Sequence, residues 1–273
     1  MISLMKAVII ISLLFVTLLH AQKALVFGAI ATVEPELMQK RLQPLIEYLE
    51  KITERSIVFE TGYDYHNTIE KFADGSYDLG FIGPAPYIRA NEHNPKALKI
   101  SAGLESSGKG YFHSLIVSKK DSAIVKLEDL KNRRFAFGSP ESTLSYYVPM
   151  QMLRDAGIIE YLDRYDFLGR HDRVAQYVIM GKYDAGAIKE SVAKKYDKYL
   201  QVIAKSEPIP DFMIVVSSKM PLALAQKIQS ALFSLKDPEI LHAIKASATG
   251  FAKREDSDYD HLRAIMKQVS LDE

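Results

Sequence analysis

An eight-residue block that occurs twice restricts the fold of this chain more than any other feature. Gly75-Ser76-Tyr77-Asp78-Leu79-Gly80-Phe81-Ile82 returns 106 residues later as Gly181-Lys182-Tyr183-Asp184-Ala185-Gly186-Ala187-Ile188, with five positions identical. A second echo has nearly the same offset: Phe27-Gly28 and Phe137-Gly138 each close an apolar run ahead of a helix-length segment. Gly75 and Gly181 suit the left-handed residue at which a helix stops. Each half therefore reads strand, Phe-Gly, helix, and then helix, Gly-x-Tyr-Asp-x-Gly, strand. Two structurally equivalent lobes are the expected result.

Hydrophobic patterning fills in the rest. It predicts strands at 24–30, 56–60, 79–82, 98–103, 115–118, 135–137, 185–188, 201–204 and 212–217. Helices are predicted at 36–52, 66–73, 86–92, 145–155, 173–180, 223–235 and 259–269, the first kinked or restarted at Pro44. Strands alternating with helices at this spacing imply α/β lobes with mostly parallel sheets. Ligands in such sheets bind outside the carboxyl ends of the strands. Those ends lie at 30–32 and 83–85 in the first half and at 139–145 and 189–191 in the second. If the lobes face each other, all four loops line one cleft.

The compartment follows from the N-terminus. Lys6 precedes an apolar run, Ala7 to Leu19, of 13 residues. As a helix it would span about 20 Å, short of the roughly 30 Å hydrocarbon core of a membrane. Small Ala21 follows, so the segment reads as an export signal cleaved near Ala21, giving domain bounds of 1–21 for the signal peptide. The chain has no cysteine, so the mature protein is held by its core rather than by disulfides. Loss of the leader removes one lysine and leaves 34 basic against 34 acidic side chains. That balance gives no reason to expect a nucleic-acid partner or a polybasic membrane patch.

The segment Gly138-Ser139-Pro140-Glu141-Ser142-Thr143-Leu144-Ser145 is the richest in chemistry. Hydroxyls cluster where a strand ends and a helix begins, and helix N-termini offer unsatisfied N–H groups to anions. Ser142, Thr143 and Ser145 are candidate donors, although a single such hydroxyl is also an ordinary cap. Tyr111, at a crossing between lobes, and His171, ahead of a helix, are further candidates. No Gly-x-Ser-x-Gly elbow, P-loop or His-Glu-x-x-His is present, and the histidines lack metal-ligand spacing. No catalytic residue, metal or cofactor is expected.

Taken with Asp64-Tyr65, Tyr77-Asp78 to Pro86, Gly110-Tyr111, His171, Glu190 and Pro208-Ile209-Pro210-Asp211, the Pro140 to Pro149 frame resembles the phosphonate/phosphate/phosphite ABC-transporter substrate-binding proteins. The likeness runs over nearly all of the mature chain. It implies two α/β lobes joined by a two-crossing hinge, the type II periplasmic binding-protein architecture, with ligand in the interlobe cleft. Lobe 1 would comprise 22–109 plus 212–273, and lobe 2 would comprise 110–211.

The resemblance assigns the oxyanion to Ser142 and Thr143, with Tyr65, Tyr111 and His171 closing on its oxygens. Glu190 and Asp211 match positions that hold the amino group in aminophosphonate binders. The family's Ser-Thr-Ser-Gly is here Ser142-Thr143-Leu144-Ser145, which leaves a third donor to Ser145 or a backbone N–H. The expected function is capture of a small phosphorus oxyanion in the periplasm by a monomer that docks on an inner-membrane ABC permease. A ligand-sensing subunit of a membrane receptor or histidine kinase is the alternative. A secreted hydrolase using Ser142 with His171 is a more distant one.

Overall fold

In the computed structural model, which describes residues 23–30, 32–106 and 110–270, the two Tyr-Asp blocks perform one task in two separate sheets. The Asp78 N–H donates to the Val26 carbonyl, and its carboxylate accepts from the Val26 N–H, both at 2.9 Å. Asp184 repeats the pair with Arg134, again at 2.9 Å for each bond. Each aspartate thus fastens the start of one strand to its neighbour. The expected leader and the expected lobe boundary at Lys109 lie outside the described residues.

The first half runs β1 (Leu25–Ala29), α1 (Pro35–Thr53), β2 (Ile57–Thr61), α2 (Tyr65–Asp74), β3 (Leu79–Ile82), α3 (Pro84–His93) and β4 (Leu98–Ser106). A short β5 (Tyr111–Phe112) leads to β6 (Ser114–Lys119), β7 (Arg134–Phe137), a π-helical turn (Thr143–Tyr147), α4 (Val148–Asp155), β8 (Arg164–Phe167) and α5 (His171–Ile179). Then come β9 (Ala185–Lys189), α6 (Glu190–Lys195) and β10 (Leu200–Lys205). The return passes through β11 (Ile209–Pro210) to β12 (Met213–Ser217), α7 (Leu222–Ser234), α8 (Pro238–Ile244), β13 (Ala248–Ala252) and α9 (Asp260–Ser270).

One sheet has the order β13-β4-β12-β3-β1-β2 and the other β10-β6-β9-β7-β8. The chain passes between them twice, and β5 pairs antiparallel with β11 at those crossings. The expectation of mostly parallel sheets needs correcting. Only β1 with β2 and β3, and β7 with β8 and β9, are parallel. Strand β12 runs antiparallel to β3 and β4, and β6 to β9 and β10. The reason is topological: β6 and β12 arrive from the opposite lobe rather than through a βαβ crossover.

Helix α1 runs unbroken through Pro44, with no restart. Its stripe of Met38, Leu42, Leu45, Ile46 and Leu49 is buried against β1, β2 and β3 side chains such as Leu25, Phe27, Ile57 and Leu79. That burial outweighs the one hydrogen bond that a proline removes. The predicted helix at 145–155 begins instead with the π-helical turn, in which the Tyr147 N–H donates to Ser142 O at 3.1 Å. Pro149 has no N–H for the Ser145 carbonyl, so that carbonyl accepts from the Gly138 N–H at 3.0 Å. Ser114 Oγ donates to Leu144 O at 2.7 Å, satisfying a second freed carbonyl.

The repeated glycines serve close approach as well as helix termination. A Cβ at Gly28 would lie 2.2 Å from Cδ2 of Tyr77, a fully buried ring packed edge-on against Phe72. Gly28→Ala should therefore lower stability by about 1–3 kcal/mol, the usual cost of overpacking. Urea denaturation of the purified variant checks this; an unchanged midpoint would refute it.

Candidate functional site

Three strand ends of each lobe meet in the cleft. From the first lobe come Ile30 after β1, Tyr65 at the start of α2, and the Gly83–Pro86 turn between β3 and α3. From the second come Ser142, Thr143 and Leu144 after β7, His171 after β8, and Lys189 at the end of β9. Phe112 and Phe212, beside the two crossings, close the same cavity from the hinge side. Six of these positions (Ile30, Gly83, Ser142, Thr143, Leu144 and Lys189) fall within the strand-end loops that the alternating pattern marks out, because parallel strands deliver their carboxyl ends to one side.

Ser142 caps the π-helical turn, its Oγ accepting from the Ser145 N–H at 3.2 Å. Tyr65 is buried and hydrogen-bonded to the Ser142 side chain; burial raises its pKa far above the phenolic norm, and Ser142 opposes only part of that. Its hydroxyl therefore stays protonated and is available as a donor. Thr143 Oγ1 accepts from the Ala85 N–H at 2.9 Å, a buried bond that joins the two lobes. The proton of the Thr143 hydroxyl is left for another acceptor.

His171 is 3% exposed, and its Nδ1 accepts from the Lys189 N–H at 3.2 Å. Because Nδ1 faces an amide donor, the ring proton belongs on Nε2. Burial, with the Lys189 charge adding to it, holds this imidazole well below its ordinary pKa and so neutral. Lys189 donates from Nζ to Thr32 Oγ1 at 2.8 Å, again from lobe to lobe. Burial and then nearby Arg41 lower its pKa from the usual 10.5 to about 8, partly offset by Asp211. The inner chamber thus assembles two aliphatic hydroxyls, a phenol, an imidazole N–H and an ammonium, with Ile30, Leu144, Phe112 and Phe212 as apolar walls.

That chamber is nearly filled by its own walls, leaving about 10 Å³, the space of one water. A tetrahedral oxyanion requires the lobes to part. The bonds that hold them together include Thr143 to Ala85, Lys189 to Thr32, an ion pair between Arg170 and Glu34, and His66 to Glu141 at 3.2 Å. On the far side Arg89 of α3 donates to the Tyr147 hydroxyl at 2.8 Å.

A family model described as ABC transporter, phosphonate, periplasmic substrate-binding protein matches residues 27–259. The chain belongs to that family. It is 28% identical over 179 residues to the probable ABC transporter phosphite binding protein PhnD1 of Prochlorococcus marinus strain MIT 9301. That alignment covers 62% of this chain and 59% of the relative, so it spans less than two thirds of the relative's length. The fold is similar to the solved structure of PhnD1 from the same organism in complex with methylphosphonate, with TM-score 0.81 and 23% identity. The match covers 91% of this chain and 98% of that one. A binding protein component of an ABC phosphonate transporter from Pseudomonas aeruginosa is also similar, with TM-score 0.80, 20% identity, and coverage of 89% and 85%. The two-lobed, mixed α/β architecture expected of the family is the one observed.

Tyr65, Ser142, Thr143 and His171 stand together in this family member, while Ser145 and Tyr111 do not line the chamber. Ser145 Oγ is fully buried and packs toward Gly138, where an added Cβ would approach it to 2.1 Å. The π-helical turn directs that side chain to the sheet, and only its N–H serves the cap. Tyr111 is 49% exposed, with the Arg254 guanidinium 5.6 Å over its ring. Alternation along β5 sends Phe112, not Tyr111, into the cleft. Glu190 and Asp211 line an adjoining cavity instead.

Lys189, Phe112 and Phe212 are the chamber-lining side chains that motif reasoning passes over. Lys189 falls in the strand-end loop at 189–191, and a lysine ending a strand is usually solvated. Only the tertiary packing of α1 and Thr32 over it turns it inward. Among the described residues no cluster of three or more His, Asp or Glu is arranged to hold a metal ion, and no helix is long and apolar enough to cross a membrane.

Proposed function

We propose that this protein captures a small phosphorus oxyanion (phosphonate, phosphite or phosphate) between its lobes and delivers it to an ABC permease of the inner membrane. The observation that carries the reading is the convergence of Tyr65, Ser142, Thr143, His171 and Lys189 on one chamber between the lobes. All five present donors, none a carboxylate, as a tetrahedral oxyanion requires. Lobe 1 comprises 22–109 plus 212–273 and lobe 2 comprises 110–211. The mature chain works as a periplasmic monomer after cleavage near Ala21.

Capture proceeds by closure. In the open form the second lobe presents Ser142, Thr143, His171 and Lys189, and the anion is held first by the Lys189 charge and the N-terminus of the π-helical turn. Rotation about the β5–β11 ribbon brings Tyr65 and Ala85 across. A micromolar site needs about 8 kcal/mol, and each hydrogen bond to a charged group contributes about 1.5–3 kcal/mol, so several of the five donors must act together. Hydrolysis by Ser142 with His171 is disfavoured, because the neutral imidazole spends Nδ1 on the Lys189 N–H and offers Nε2–H as a donor rather than a base.

Calorimetric titration of the mature protein with phosphate, phosphite and methylphosphonate is the direct test. Saturable one-to-one binding of at least one of them, weakened about tenfold in Ser142→Ala, is the expected outcome. Folded protein that binds none of the three would refute the assignment.

A further inference from the structure

Lys189, Phe112 and Phe212 also border a second cavity, of about 380 Å³, on the other side of the inner chamber's wall. Its charged lining is Arg41 from α1, Lys189, Glu190 and Lys194 around α6, Asp211 ahead of β12, and Lys245 after α8. Four cations therefore face two carboxylates, and the carboxylates are already engaged. Asp211 is ion-paired with Lys245 and accepts from Ser106 Oγ at 3.4 Å. Glu190 Oε1 lies 3.1 Å from Lys205 Nζ. Arg41 and Lys194 have no ion-pair partner among the described residues, and Lys189 donates only to a threonine hydroxyl.

This charge pattern determines which substituents the cavity accepts. The organic group of a phosphonate held in the inner chamber has its way out past Phe112 and Phe212, whose rings stand 5.9 Å apart edge to face. An ammonium at its end would meet Arg41, Lys189 and Lys194, and could gain a carboxylate only by displacing Lys245 or Lys205. A carboxylate would instead meet the two uncommitted cations. The planar guanidinium of Arg41 suits it in particular, since it can donate two parallel bonds.

We propose that the preferred ligand carries two anionic groups: a phosphorus oxyanion in the inner chamber, and a carboxylate on its organic substituent in the outer one, held by Arg41 and Lys194. This deepens the proposed function and rests on it, the inner chamber being the oxyanion site.

Calorimetric titration with methylphosphonate, 2-aminoethylphosphonate and 3-phosphonopropionate separates the two levels. The expected order places 3-phosphonopropionate at least tenfold tighter than methylphosphonate, and 2-aminoethylphosphonate weakest. In Arg41→Gln and in Lys194→Gln the advantage of 3-phosphonopropionate over methylphosphonate should shrink at least fivefold. Arg41 is half-buried and Lys194 exposed, so neither substitution empties the core, and circular dichroism checks that the variants are folded. Methylphosphonate binding with no gain from the carboxylate, or with a gain from the amine, would overturn this inference and leave the proposed function standing. Failure of all three to bind would overturn this inference, and failure of phosphate and phosphite as well would overturn both. An advantage that survives both substitutions would overturn the assignment to Arg41 and Lys194.

Discussion

Replacing Lys189 with methionine should weaken methylphosphonate binding about a hundredfold while making the ligand-free protein more stable. The two effects share one cause. Lys189 is desolvated between the lobes and flanked by Arg41, so its pKa stands near 8 rather than the usual 10.5. A lysine whose folded pKa is depressed binds its proton less well than in the unfolded chain, and its charge costs stability. Below pH 8 both states are protonated and the cost is constant. Between pH 8 and the unfolded value the folded state sheds its proton first, and the cost disappears. A methionine of similar length carries no such cost. At neutral pH the melting temperature should rise by about 2–4 °C, the shift that about 1 kcal/mol produces in a domain of this size. The gain should fade as pH climbs above 8.

Binding has the opposite sign. An oxyanion stabilises the ammonium, so the ligand binds best to the protonated form. The ratio of wild-type to variant affinity should be flat below pH 8 and fall above it. Ionisation of the ligand itself is common to both proteins and cancels in the ratio. Titrations at several pH values, paired with thermal melts, measure both predictions. A less stable variant, or one that binds as well as the wild type, would show that Lys189 is a structural residue and not a ligand.

The second large effect is expected at Thr143. Its hydroxyl accepts from the buried Ala85 N–H at 2.9 Å and is left free to donate to the ligand. Valine preserves the shape and removes both bonds. On closure the Ala85 N–H would be buried without a partner, at about 1–3 kcal/mol, and a donor to a charged oxygen would be lost, at about 1.5–3 kcal/mol. Thr143→Val should therefore bind about a hundredfold more weakly, and Thr143→Ser within about threefold of the wild type, since it loses only a methyl group. Small-angle scattering with saturating ligand should show the valine variant remaining more extended. Equal affinity in the valine and serine variants would mean that the hydroxyl has no part in either bond.

The repeated Gly-x-Tyr-Asp-x-Gly block was readable as two equivalent lobes because its function is local. The aspartate clamps a strand start, and the glycines allow a helix to end and a neighbouring element to pass closely. Residues separated by a few positions are enough to express that chemistry. The hydroxyl-rich run at Ser142 and Thr143 was legible for the same reason, since a strand end followed by cap residues carries its geometry with it. Sheet polarity was not, because β6 and β12 enter each sheet from the other lobe and their direction depends on the crossings alone. Alternation in the two-residue β5 is too short to show a period, so nothing local distinguishes the exposed Tyr111 from Phe112, which faces the cleft.

What the sequence determined by itself is the two-lobed plan, the placing of four strand-end loops, and the hydroxyl-rich cap at Ser142 and Thr143. Each is written in residues near one another in the chain. The tertiary structure alone decided which lysine points inward and which carboxylates remain available. Lys189 becomes a half-buried cation only when Thr32 and Arg41, some 150 residues earlier, close over it. Asp211 and Glu190 lose their freedom only when Lys245 and Lys205 fold against them. The electrostatic character of a cleft between lobes is set by pairs that are distant in the chain, and no local pattern records them.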